Sequence, residues 1–180
     1  PMVGHVYYRT RMSKTLDETY VATCAQAIVD YVKSIGGKAI MTSASHERCT
    51  DRIAEATEKI IAATGHKVDI VVNIQGDEPM IFPEMIDEVV RPMLEDTSLL
   101  TTNLMAKIKT PGEHEDPNVV KVVVDRNSDA LYLSREPIPS TKKASGPVPA
   151  WKQLGIITFR RDFLFKFNKL APTPLEIIES

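Results

Sequence analysis

Between Glu18 and Asp96 the chain alternates three times between a short β-branched or aromatic run and a longer amphipathic stretch. ETYVAT (18–23) reads as a strand. AQAIVDYVKSI follows, with Ala25, Ile28, Val29, Val32 and Ile35 at helical spacing and Gly36-Gly37 as a stop. KAIMTS is the next strand. TDRIAEATEKIIAAT is a helix whose Ile53, Thr57, Ile60 and Ile61 share a face, with Thr50 placed to cap it. VDIVVNI is apolar on both faces, as the centre of a parallel sheet requires. Pro83 opens PEMIDEVVRPMLED, whose Met85, Ile86, Val89, Val90, Met93 and Leu94 point inward. Pro92 should kink that helix or end its regular part. Such alternation predicts βαβ units and a three-layer α/β/α domain with a mostly parallel sheet.

Residues 2–12 ahead of this block fit an amphipathic helix on Val3, Val6, Tyr7 and Thr10. The chain after it changes character. SLLTTNLM is strand-like and KIKTPGEHEDPN reads as a loop. VVKVVVD and ALYLS flank RNSD as an inserted β-hairpin. REPIPSTKKASGPVPA is a long Pro/Ser/Lys segment, a kind that is usually functional or mobile. LGIITF is a last strand, RDFLFKFNKL a helix, and PTPLEIIES the start of another. No repeat or linker divides the 180 residues, so they are read as a single domain, 1–180.

Composition narrows the function. With 26% charged residues and a formal net charge of −2, the chain has no polybasic character, and no nucleic-acid partner is expected. No apolar stretch is long enough for a membrane span. Two cysteines without CxxC spacing, Cys24 and Cys49, are read as structural thiols in a reducing cytoplasm. The four histidines form no HxH or HxxxH pair, which argues against zinc.

Three stretches fall at strand ends, where ligands of open α/β sheets bind. Gln75-Gly76-Asp77-Glu78-Pro79 follows VDIVVNI. A carboxylate there can hold Mg²⁺, a hard ion that takes oxygen ligands and bridges to phosphates; a type I turn containing DEP remains open as the other reading. His46-Glu47-Arg48-Cys49-Thr50-Asp51-Arg52 opens a helix, where backbone N–H groups favour anions and Arg52 can grip a carboxylate. A loose capping box explains it equally well. Ser134-Arg135-Glu136-Pro137 ends the hairpin and offers either a second anion clamp or a surface arginine. An anionic, metal-associated ligand suits all three. There is no Walker A pattern, GxGxxG or GxSxG.

In chain order, HERCTDRIAEA, VVNIQGDEPMI, DPNVVKVVVD, ALYLSREPIP, LGIITFRRDFL and PTPLEIIE resemble the 3-deoxy-manno-octulosonate (Kdo) cytidylyltransferases, or CMP-Kdo synthetases. The resemblance implies a nucleotide-diphospho-sugar transferase-like (Rossmann-like) fold, a homodimer and a Mg²⁺-dependent transferase. It also implies the reaction of CTP with Kdo or a related acidic sugar, giving a CMP-sugar and pyrophosphate for lipopolysaccharide or other surface glycans. By the same resemblance Asp77 holds the metal, and Asp77, Arg52 and Arg135 are catalytic. Arg52, Arg135, Gln153 and Phe159 would contact the sugar acid, and Gln75, Ser45, His46 and Thr50 the nucleotide.

Several positions depart from the family pattern. Arg48-Cys49-Thr50 stands where Ser-Gly-Thr is usual. Gln153 and Phe159 replace the His and the last Tyr of a HLGIYGY-like strand, and Cys24 replaces an Asp. A different acidic sugar, sialic-acid-like or amino-substituted, is therefore an alternative substrate. The family's N-terminal strand with its PARxxSTRxPGKP loop, and the Asp of a DTPED-like stretch, are expected to lie outside this sequence. A fragment lacking them is expected to be inactive alone, which leaves a non-catalytic chain that keeps the fold and dimer surface as a third reading.

Overall fold

The protein was analysed as a computed structural model that describes residues 1–146 and 148–179. In chain order the elements are α1 (Met2–Thr10), β1 (Val21–Thr23), α2 (Gln26–Ser34), β2 (Ala39–Met41), α3 (Cys49–Thr64), β3 (Ile70–Ile74) and α4 (Pro83–Glu95). They continue with β4 (Thr101–Lys107), α5 (Pro111–Glu115), β5 (Lys121–Val124), β6 (Ala130–Ser134), β7 (Trp151–Arg160), α6 (Arg161–Phe167) and α7 (Pro174–Glu179). The chain divides into two compact units, residues 1–102 with 155–170, and residues 103–154 with 171–180.

The first unit holds the alternating block. Strands β1 and β2 pair in parallel, Val21 opposite Ala39. Strand β3 pairs antiparallel with the end of β7, Ile70 opposite Arg160 and Ile74 opposite Ile156. Much of the periodic faces read from sequence forms the core: Val29 and Val32 from α2, and Ile86, Val89, Val90 and Met93 from α4, are buried, whereas Leu94, expected to point inward, is exposed. Gly65 caps α3 in the left-handed region at φ 69°, which a side chain would strain. A cavity of about 470 Å³ opens in this unit. It is bordered by Val21 and Ala22 of β1, by the length of β3, and by apolar side chains such as Val6, Ile53 and Val90.

Four local expectations are corrected. Thr50 does not cap α3, which starts one residue earlier with Arg48 at the N-cap and no side-chain cap bond. Helix α4 continues through Pro92 to Glu95, so Pro92 does not end it. Strand β3 has an antiparallel neighbour in β7, although its two-faced apolar pattern suits a parallel centre. Apolarity on both faces reports coverage by packed layers, not strand direction. Both cysteines are free and exposed, which corrects any expectation that they are buried but not their reading as thiols outside a disulfide.

Asp87 of α4 anchors the loop after α1. One of its oxygens accepts from Ser13 Oγ (2.6 Å), Thr15 Oγ1 (3.0 Å), and the backbone N–H of Lys14 (2.9 Å) and Thr15 (3.2 Å). Asp87→Ala should cost roughly 2 kcal/mol of stability, because bonds to a charged acceptor are stronger than neutral ones. Urea unfolding checks this; an unchanged midpoint would show that the loop holds without its anchor.

The second unit contains the hairpin. Strands β5 and β6 pair antiparallel, Lys121 opposite Ser134, and β5 also meets the start of β7, Val122 opposite Trp151. Asp125 closes the turn by accepting from the N–H of Asn127 (2.8 Å) and Asp129 (3.0 Å), with Ser128 at φ 70°. The KIKTPGEHEDPN stretch read as loop holds α5. Thr110 is its N-cap and accepts from Glu113 N, and Pro111 starts the helix.

Candidate active site

In the first unit the chain leaves β3 through two linked turns. Glu78 N donates to Gln75 O (3.3 Å) and Ile81 N to Glu78 O (3.2 Å). The turn reading of QGDEP is therefore right in geometry, and it leaves Gly76, Asp77 and Glu78 exposed. Gly155 of β7 faces this turn. A Cβ on it would stand 3.3 Å from Gln75 Cγ and 3.4 Å from Glu78 Oε1, so glycine lets the turn sit close to the strand.

Asp77 and Glu78 are carboxylates of the kind a hard divalent cation takes. No group of three or more His, Cys, Asp or Glu able to hold a metal gathers among the described residues. Asp77 and Glu78 are the residues of this turn that could hold a magnesium ion.

The start of α3 is tied to the end of β3, since Asn73 Nδ2 donates to Cys49 Sγ at 3.4 Å. Here Arg52 donates through Nη1 to Thr42 Oγ1 (2.7 Å) and to Ser43 O (3.2 Å). Among the described residues nothing accepts from its Nε or Nη2, so one edge of the guanidinium is left for an anion. Thr50 carries its neighbourhood through the backbone, accepting from Asn168 Nδ2 at 2.9 Å.

The loop carrying Ser45 and His46 is organised by Glu55, which the sequence reading did not single out. Glu55 accepts from Ser43 N (2.8 Å), pairs with His46 Nε2, and pairs with Lys59 Nζ (2.7 Å). Ser43 Oγ and Ser45 Oγ lie 2.7 Å apart in the same loop. The Glu55–Lys59 spacing of four was a legible helix pair; the reach back to Ser43 and His46 was not. The bond from Lys59, then those from Ser43 and His46, hold the Glu55 carboxyl down at about 2. A depressed carboxylate stabilises its surroundings above its free pKa and loses that contribution as pH falls through the folded value. The Ser43 amide signal should therefore titrate near pH 2. A midpoint near 4.5 would show that Glu55 does not hold this loop.

Arg135 and Gln153 belong to the second unit. Arg135 is exposed just past β6 and donates through Nη1 to Pro117 O at 3.0 Å. Its own carbonyl accepts from Lys121 Nζ, as does Asp116 O at 2.9 Å. Lys121 is fully buried, and burial lowers its pKa against the opposing pull of Asp116 and Glu136. Gln153 donates through Nε2 to Asn103 Oδ1 at 2.5 Å.

Phe159 is corrected. It is 5% exposed in the first unit, clustered with Ala54 and Leu164 and 6.0 Å from the Phe167 ring. A ring spent on the core has no face for a sugar.

A family profile described as cytidylyltransferase matches residues 1–180. This chain belongs to the cytidylyltransferase family. It is 43% identical to the 3-deoxy-manno-octulosonate cytidylyltransferase of Geobacter metallireducens, over 99% of this chain and 72% of that protein. It is 44% identical to that of Syntrophus aciditrophicus, over 100% of this chain and 71% of the relative. A solved structure of CMP:2-keto-3-deoxy-manno-octonic acid synthetase, complexed with CTP, superposes with a TM-score of 0.91 at 38% identity, covering 99% of this chain and 71% of that one. A 4-diphosphocytidyl-2C-methyl-D-erythritol synthase from Anaerococcus prevotii shares the fold at a TM-score of 0.56 and 12% identity, over 96% of this chain and 67% of its own. The nucleotidyltransferase-like α/β fold of this cytidylyltransferase chain follows from these likenesses. No helix among the described residues is long and apolar enough to cross a membrane.

Proposed function

We propose that this cytidylyltransferase chain activates 3-deoxy-manno-octulosonate with CTP, giving the CMP-sugar and pyrophosphate. The observation that carries the reading is the extent of the match: relatives named for this activity align over 99% of the chain. The anomeric hydroxyl oxygen of the sugar forms a bond to the α-phosphorus of CTP. The bond from that phosphorus to the β-phosphate oxygen breaks, pyrophosphate leaves, and the hydroxyl proton passes to solvent. Such a transfer needs alignment and charge neutralisation more than a covalent catalyst.

Asp77 would hold Mg²⁺, which when bound supplies charge neutralisation at the phosphates. The open edge of Arg52 would take the sugar carboxylate, since a guanidinium fork suits a planar carboxylate. Arg135, in the second unit, is read as a sugar contact from the family resemblance alone. Gln153 would meet the sugar. Gln75, Ser45, His46 and Thr50 would line the nucleotide, with Glu55 holding their loop in place. The same reading includes a homodimer in the cytoplasm that supplies lipopolysaccharide synthesis.

The test is pyrophosphate release from CTP with 3-deoxy-manno-octulosonate, a sialic acid and an amino-substituted analogue, each with and without Mg²⁺. Preference for 3-deoxy-manno-octulosonate supports the reading, and preference for another sugar replaces the substrate. CTP binding without turnover on any of them favours a non-catalytic chain.

A further inference from the structure

We propose that Asn103 locks the side-chain amide of Gln153 so that it offers the substrate a hydrogen-bond acceptor, selecting an acidic sugar with a hydroxyl or ammonium donor at that point. The inference rests on the reading that Gln153 meets the sugar. An unrestrained glutamine is indifferent, because its amide can turn to present either oxygen or nitrogen. Here the amide is not unrestrained.

The chain of constraints starts at a carbonyl, which can only accept. Asn103 Nδ2 donates to Leu154 O at 2.8 Å, with a longer contact to Leu104 O at 3.4 Å. Both neighbours are acceptors, so the nitrogen of Asn103 must face them and its Oδ1 must face away. That oxygen is what Gln153 meets, at 2.5 Å, and only the Gln153 nitrogen can answer it. Turning the Gln153 amide over would set two oxygens against each other. The backbone of Gln153 is also fixed, its N–H donating to Val120 O at 2.9 Å. With one Nε2 hydrogen committed to Asn103 and the amide so oriented, Oε1 is the acceptor left over, and among the described residues nothing donates to it. Gln153 is half-buried, and its bond to Asn103 lies at the surface, so that oxygen can be reached.

The chemical consequence is a polarity filter. A carbonyl oxygen accepts from a sugar hydroxyl and accepts more strongly from an ammonium. It gains nothing from a fluorine or a bare CH₂. The signal was out of reach in the sequence, since Asn103 and Gln153 lie 50 residues apart and neither belongs to a motif.

The experiment measures dissociation constants by NMR titration in the presence of CTP. The ligands are 3-deoxy-manno-octulosonate and its analogues with single hydroxyls replaced by fluorine. The proteins are the wild-type chain and its Asn103→Leu, Asn103→Ala, Asn103→Asp and Gln153→Ala variants. For the wild type, one fluoro analogue should bind about 10-fold or more weakly than the parent. In Asn103→Leu and Asn103→Ala the Gln153 amide turns freely, and that penalty should shrink to less than about 3-fold. Asn103→Asp keeps an oxygen for Gln153 Nε2 and should keep most of the penalty. An unchanged penalty in both Asn103→Leu and Asn103→Ala overturns the lock. If Gln153→Ala leaves affinity for the parent sugar unchanged, the placement of Gln153 at the sugar fails instead, and the inference falls with it.

Discussion

In a full-length version, Asp77→Ala is expected to lower Mg²⁺-dependent CMP-sugar formation on the order of 10³-fold with little change in the fold. The first half follows from charge. CTP brings a dense cluster of negative oxygens to the reacting centre, and a transfer at its α-phosphorus adds charge to the leaving pyrophosphate. On the proposed reading Asp77 anchors the cation that offsets this charge, and the variant would lack that anchor. The second half follows from exposure. Asp77 sits in an exposed turn, and the backbone bonds that form the turn come from its neighbours, Glu78 N to Gln75 O and Ile81 N to Glu78 O. Surface substitutions away from such bonds usually change stability by less than about 0.5 kcal/mol. Pyrophosphate release across a range of Mg²⁺ concentrations, paired with thermal unfolding, reads both halves. Near-normal turnover in the variant would remove Asp77 from metal binding. Lost turnover with a large drop in melting temperature would show that the turn itself depends on Asp77.

The parts of the fold legible in the sequence are those where one period repeats over several turns. The buried faces of α2 and α4 came directly from helical spacing, and the hairpin from two β-branched runs around RNSD. Helix α5 escaped because its five residues are too short for periodicity, although Thr110, Pro111 and Glu113 carried a start signal. The antiparallel partner of β3 escaped because apolarity on both faces does not encode direction. The candidate site divides in the same way. Asp77 and Arg135 stand out because charged residues just past strand ends are conspicuous, and Arg52 because it lies in the first turn of α3, where anions are favoured. Phe159 misled because its position in the family-like strand suggested the sugar, while packing with Ala54, Leu164 and Phe167 takes its ring inward. Glu55 and Lys121 were invisible because their work is to hold backbone atoms that a sequence does not display.

Lys121 separates stability from positioning, and its two substitutions should behave differently. Its ammonium is fully buried, and what it binds are two carbonyl oxygens, those of Asp116 and Arg135. Lys121→Ala removes the stem, leaves a cavity and strips a donor from both carbonyls, so a loss of about 3–5 kcal/mol is expected. Lys121→Met fills nearly the same volume and removes the cost of burying a charge, but it too leaves both carbonyls without their donor. It should cost about 1–3 kcal/mol, less than Lys121→Ala. If burial for packing were the purpose of this residue, Lys121→Met would be indistinguishable from wild type in every assay. Instead, the Asp116 and Arg135 carbonyls lose their common tether, and Arg135 loses the fixed starting point for its side chain. Lys121→Met should therefore raise the KM for the sugar acid several-fold while leaving that for CTP nearly unchanged. A pH signature accompanies this. Burial, and secondarily Arg135, lower the Lys121 pKa, while Asp116 and Glu136 oppose the shift. Between that lowered value and the free-lysine value, the unfolded chain binds the proton more readily, so wild-type stability gains a contribution as pH rises through that window. Lys121→Met has no such proton and should lack the rise. Equal KM changes for both substrates would mean that the tether does not act on Arg135. A rise that survives in Lys121→Met would assign it to another group.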